Sequence, residues 1–188
     1  MLARLAQTSS GAALLAYPLL LLWGLRYLEP SSVALLLAAV WLLRRLLVAG
    51  KSPFDHALAL AGIAVASVGF VANSETVLRL YPVAVNAILL ALFGFSLRYP
   101  PSLVERIARR REPGLSTAGV RYTKRVTQVW CLFFVLNGSI AWYTAFHASR
   151  EVWAWYNGGI AYLLIAAMFL GEWSLRRRVL HREEPRGH

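Results

Sequence analysis

Five stretches of this chain run eighteen or more residues without an Asp, Glu, Lys or Arg: 5–25, 57–74, 80–97, 126–149 and 152–171. Each is close to the roughly 20 residues a helix needs to cross a bilayer. A sixth apolar segment, 33–47, is interrupted near its end by Arg44 and Arg45. Long basic side chains at that place can snorkel to headgroups, so the segment still qualifies as a span. The pattern predicts an all-α, polytopic membrane protein of six transmembrane helices, or five if that segment does not cross.

The charges sort by alternate loops. Arg4, then Arg44, Arg45 and Lys51, then Arg98, Arg106, Arg109, Arg110, Arg111, Arg121, Lys124 and Arg125, and lastly Arg176, Arg177, Arg178, Arg182 and Arg186 all fall on one side. The other side receives Arg26, Arg79 and Arg150. Lys and Arg in short loops stay cytoplasmic, so both termini are expected in the cytoplasm. The net charge of +11 and a pI near 10.7 are thereby topology signals. Because the basic residues are split among membrane-flanking segments, no continuous basic face for nucleic acid is implied.

The expected layout is a single integral membrane domain over 1–188 with spans at about 8–28, 31–49, 54–73, 76–98, 124–148 and 151–175. A cytoplasmic amphipathic loop takes 100–123 and a basic tail takes 176–188. Arg4 followed by an apolar run fits the start of a signal peptide, but residues 26–30 offer no small-residue cleavage site, so a retained first span is expected. Ser52, Pro53 and Asp55 read as a helix start. Asn73, Ser74 and Glu75 supply a similar start for the fourth span. Tyr-Pro at 17–18 recurs at 81–82, compatible with an inverted repeat, and again at 99–100, which weakens that idea.

The 100–123 loop is the most informative. Pro100 and Pro101 end the fourth span, and Ser102 with Glu105 forms a capping-box pattern. Leu103, Val104, Ile107 and Ala108 can share one face of the short helix that follows, with Arg106, Arg109 and Arg110 mostly opposite. Such a segment belongs in the headgroup layer among anionic lipids. Arg106, Arg109, Arg110, Arg111, Arg121, Lys124 and Arg125 are therefore the candidate cytoplasmic interaction surface. Trp142, Tyr143, Trp153, Trp155 and Tyr156 are expected in an aromatic belt at the other interface.

Polar side chains inside spans are costly, so Asn86, Asn137, Asn157 and Glu172 are the candidate intramembrane groups. The asparagines can hydrogen-bond between helices. Glu172 stands four residues before Arg176, the favourable order for an ion pair, and is alternatively a proton or cation site. The lone Asp55, the lone Cys131 and four scattered His residues make no hydrolase or metal-ligand pattern. No catalytic residue, cofactor or metal is assigned.

From Trp130 to Phe146 the chain resembles the intracellular septation protein A family of small bacterial inner-membrane proteins. The shared elements are Trp130, Phe133, Phe134, Leu136, Gly138, Tyr143, Ala145 and Phe146. Pro101, Glu105, Arg106 and Ile107 resemble the family's proline-led amphipathic stretch; Trp153, Tyr156 and Gly159 resemble the start of its last span. Asn157 stands where a lysine is expected, which suggests a sister group, such as the small membrane proteins encoded with aryl-polyene and fatty-acid-like biosynthesis genes. The resemblance implies a non-enzymatic inner-membrane protein that supports envelope integrity or division through other membrane proteins or a homo-oligomer. A small transporter is one alternative. An accessory protein docking acyl carrier proteins or lipid intermediates is another.

Overall fold

The computed structural model describes residues 18, 20–47, 53–110 and 112–183, with side chains over 20–42, 60–110 and 112–172. Among the described residues every regular element is helical. A helical segment over 20–27 (α1) leads to α2 (Pro30–Leu47) and α3 (Pro53–Ala72). Then come α4 (Glu75–Arg79), α5 (Tyr81–Arg98) and the short α6 (Leu103–Arg109). The chain ends with α7 (Thr117–His147), α8 (Arg150–Trp155), a π-helical turn (Tyr156–Ile160) and α9 (Ala161–Glu183).

Among the described residues three helical stretches are long and apolar enough to cross a membrane: Glu75–Arg98, Thr117–His147 and Arg150–Glu172. Pro30–Leu42 and Leu60–Ala72 are shorter apolar helices. Outward-facing side chains such as Val71, Leu163 and Phe95 are mostly exposed. A water-soluble monomer does not carry so much contiguous apolar surface, which is consistent with a membrane protein.

Serines start the later helices as their polarity dictates. Ser102, Ser116 and Ser149 each accept a backbone N–H three residues on, from Glu105, Gly119 and Val152. The Ser116 cap moves the start of α7 ahead of the expected 124, so 117–123 is helix rather than part of the loop. At about 46 Å, α7 is longer than the hydrocarbon thickness of a bilayer. The expected single helix over 76–98 is instead broken at Leu80. Pro82 has no N–H to offer the Leu78 carbonyl, so the backbone ladder is interrupted between α4 and α5.

The core gathers Leu21, Leu37, Trp41, Leu78, Tyr81 and Trp153 from α1, α2, α4, α5 and α8. α2 packs along α3, and α5 along α7. The α2–α3 approach depends on Gly62, where a Cβ would lie 2.5 Å from the Trp41 ring. Gly94, by contrast, faces open space.

The turns at 28–29, 73–74 and 148–149 meet at one end of the bundle. Ser31 N–H donates to Asn73 Oδ1 at 3.0 Å, and Asn73 has a positive φ of 44°. Glu75 accepts from Arg79 and, through both carboxylate oxygens, from Arg150 at 3.0 and 2.6 Å. Arg150 also donates to the Leu25 carbonyl, and Arg79 to that of Ala148, at 2.7 and 3.1 Å. Two of the basic residues that the charge pattern sends away from the others thus form one lock at the helix ends. Trp153 departs from the expected aromatic belt. It is fully buried and donates from Nε1 to the Arg79 carbonyl at 3.1 Å, whereas Trp142, Tyr143 and Trp155 are exposed.

Candidate functional site

Asn86 of α5 and Asn137 of α7 face each other where the two helices approach most closely. Gly138 makes this approach possible, since a Cβ there would stand 3.1 Å from the Cβ of Asn86. Asn137 Nδ2 donates to Asn86 Oδ1 at 3.0 Å, and Asn86 Nδ2 donates to the Pro82 carbonyl at 2.8 Å. From the other side the Tyr156 hydroxyl donates to Asn137 Oδ1 at 2.9 Å. Tyr156, Asn137, Asn86 and Pro82 therefore form one directional hydrogen-bond chain across three elements. Each link inside a membrane protein contributes about 1 kcal/mol.

Asn157 lies in the π-helical turn and points inward. Its Nδ2 donates to the Trp153 carbonyl at 2.9 Å and to Thr144 Oγ1 at 3.4 Å. π-turns within α-helices recur at functional sites; here the turn carries Tyr156 onto Asn137 and Asn157 onto α7. All three asparagines predicted from sequence are buried and lie around one place. Tyr156 was assigned only to an aromatic belt, because its hydroxyl partner is nineteen residues away and periodicity does not report it.

Two cavities flank this polar chain. The inner one, about 140 Å³, is bounded by Asn86, Asn137, Asn157, Tyr162 and Phe134. The outer one is a groove of about 750 Å³ between α7 and α9, lined by Val129, Phe133, Leu136, Leu164 and Met168 and reaching Tyr122, Arg125 and Glu172 at its far end. Phe133 and Asn137 line both. Trp130 against Phe169, with ring centroids 4.9 Å apart, holds the helices together along the groove. At the far end Tyr122 donates its hydroxyl to the Glu172 carbonyl at 3.1 Å. Glu172 therefore lies at the groove mouth, away from the three asparagines; the side chain of its expected partner Arg176 lies outside the described residues.

The basic surface divides. Arg106 donates to the carbonyls of Pro101 and Tyr99 at 2.8 and 3.3 Å, fastening the α5–α6 turn. Arg109 pairs with Glu105 at 2.8 Å. Only half of the expected capping box forms, because the Glu105 carboxylate serves Arg109 instead of returning to Ser102. Glu105 and Ala108 are the buried positions of α6, and Ile107 faces outward. Arg110, Arg121, Lys124 and Arg125 are exposed, the last three on one face of α7. Arg111 lies outside the described residues.

Among the described residues no group of three His, Cys, Asp or Glu side chains is placed to hold a metal ion. In comparisons with protein families, curated proteins and solved structures, no family model, relative or structure matches this chain.

Proposed function

We propose that this chain is a non-enzymatic, multi-span protein of the bacterial inner membrane that supports envelope integrity or division by holding other membrane components. The α7–α9 groove is the place where it holds them. One observation carries the reading: a nearly wholly apolar slot, within the 300–1,000 Å³ range of ligand pockets, opens sideways between two helices long enough to span a bilayer. The asparagines in the spans serve helix packing, as a scaffold requires. The resemblance to the septation protein A family supports the envelope setting.

In this reading α1, α2, α3, α4–α5, α7 and α8–α9 are six spans. The turns at 28–29, 73–74 and 148–149 lie outside, while α6, the start of α7 and both termini lie in the cytoplasm, as the Lys and Arg excess requires. A photoreactive residue at Leu136, inside the groove, should capture a defined membrane component in cells. The same residue at Leu35, on the outer face of α2, should not. Identical capture patterns from both positions would reject the reading.

Transport is a second reading, favoured by the two cavities that meet at Asn137. Purified protein in liposomes should then move a substrate or protons, with the flux lost in Glu172→Gln. An absence of flux in the unaltered protein counts against it.

A further inference from the structure

The dimensions of the α7–α9 groove restrict what it can hold. Its lining runs from Tyr122 to Ile140 on α7, about 27 Å along the helix axis. Along that length the lining is nearly wholly apolar, the surroundings that hydrocarbon chains prefer.

Its two ends differ chemically. Toward one end Asn137 accepts from Tyr156 and donates to Asn86, so the slot meets a satisfied polar group there. At the other end Arg125 lines the mouth, with Arg121 and Lys124 on the same exposed face of α7. The Glu172 carboxylate is also at this mouth, and the Tyr122 hydroxyl is turned to the Glu172 carbonyl. Three cations against one carboxylate leave the mouth positive. From Arg125 to Asn137 the rise is about 18 Å, close to the roughly 15 Å depth of one leaflet's hydrocarbon.

These observations define an amphiphile by its outline: hydrocarbon tails one leaflet deep, and an anionic head at the level of Arg125. The geometry points to a membrane phospholipid with a net negative headgroup as the groove's occupant, its tails between α7 and α9 and its phosphate held by Arg125 with Lys124 and Arg121. This rests on the reading of the groove as the binding site and adds what fills it.

The full chain is reconstituted in phosphatidylcholine vesicles containing a minor fraction of phosphatidylglycerol. Either lipid carries a photoreactive diazirine in its tail, and labelled peptides are mapped. Labelling at Leu136 and Leu164 should be several-fold higher with phosphatidylglycerol, while labelling at Leu35 should be equal for the two lipids. Arg125→Glu with Lys124→Glu should bring the ratio close to one, and Arg125→Lys should largely keep it. Gly171 lines the mouth and a Cβ there meets no atom within 4 Å, so Gly171→Leu adds bulk at the headgroup end of the slot. It should lower groove labelling by both lipids.

Equal labelling by the two lipids that Gly171→Leu still lowers overturns the anionic occupant and leaves a groove-binding protein. With the photoreactive residue placed at Leu136 instead, chain-to-chain crosslinks in place of lipid adducts also overturn it, by placing a second copy there. Groove labelling no higher than at Leu35 overturns both this inference and the reading beneath it.

Discussion

Asn137 donates to Asn86 across the α5–α7 interface at 3.0 Å while accepting the hydroxyl of Tyr156 at 2.9 Å, so one side chain joins three elements. Removing it leaves the buried Asn86 amide oxygen and the half-buried Tyr156 hydroxyl without this partner. Asn137→Ala should lower stability by about 2 kcal/mol, and Tyr156→Phe by about 1 kcal/mol. Asn86→Leu with Asn137→Leu should cost less than the sum of the single changes, because neither then leaves an unpaired amide. Thermal unfolding in detergent, arranged as a double-mutant cycle, measures the coupling; strict additivity would count against a direct bond.

The Glu75–Arg150 pair ties α4 to α8, and Arg150 is fixed further by the Leu25 carbonyl at the end of α1. Both side chains retain partial exposure, which tempers the energy. Glu75→Gln should destabilise by about 1–2 kcal/mol and loosen the turn end of the bundle. Hydrogen exchange of amides near 28–29 and 148–149 should rise in that variant, with α5–α7 contacts unaffected. Trp153→Phe should lose its bond to the Arg79 carbonyl, about 1 kcal/mol, while keeping most of the packing.

Gly62 and Gly94 are both span glycines, yet they should respond oppositely to substitution. At Gly62 a Cβ would penetrate the Trp41 ring at 2.5 Å, so Gly62→Ala should separate α2 from α3 and cost about 1–3 kcal/mol. At Gly94 no atom lies within 4 Å, and Gly94→Ala should be neutral or stabilise by up to about 1 kcal/mol through helix propensity. Unfolding midpoints of the two variants decide the point.

Much of this architecture is legible in the sequence because lipid imposes long apolar runs, and the serines of the short loops cap the helices that follow. The candidate asparagines are legible for the same reason, since an amide in a span needs a partner. Which partner it takes is not. Asn137 to Asn86 and Tyr156 to Asn137 are tertiary pairings that no periodicity encodes, and the π-turn that delivers Tyr156 breaks the helical register. Arg106 and Arg109 look like free surface in sequence. The carbonyls of Tyr99 and Pro101 and the buried carboxylate of Glu105 claim them only once α6 folds back beside α7. The i, i+4 order of Glu75 and Arg79 was available as a signal, but the contribution of Arg150, seventy-five residues away, was not.

The three turns that meet around Glu75 and Arg150 make membrane topology a sharp test of the proposed six spans. The turn at 148–149 adjoins α4 through Arg79 and the Ala148 carbonyl, whereas Glu112 lies at the opposite end of the 31-residue α7. If α7 crosses the bilayer, reporters fused after Glu112 and after Arg150 must give opposite signals, cytoplasmic for the first. In the proposed topology the charge pattern sets that orientation, so reversing several of Arg110, Arg121, Lys124 and Arg125 to Glu should weaken or invert it. Both reporters on one side would remove α7 as a span and, with it, the groove's exposure to lipid.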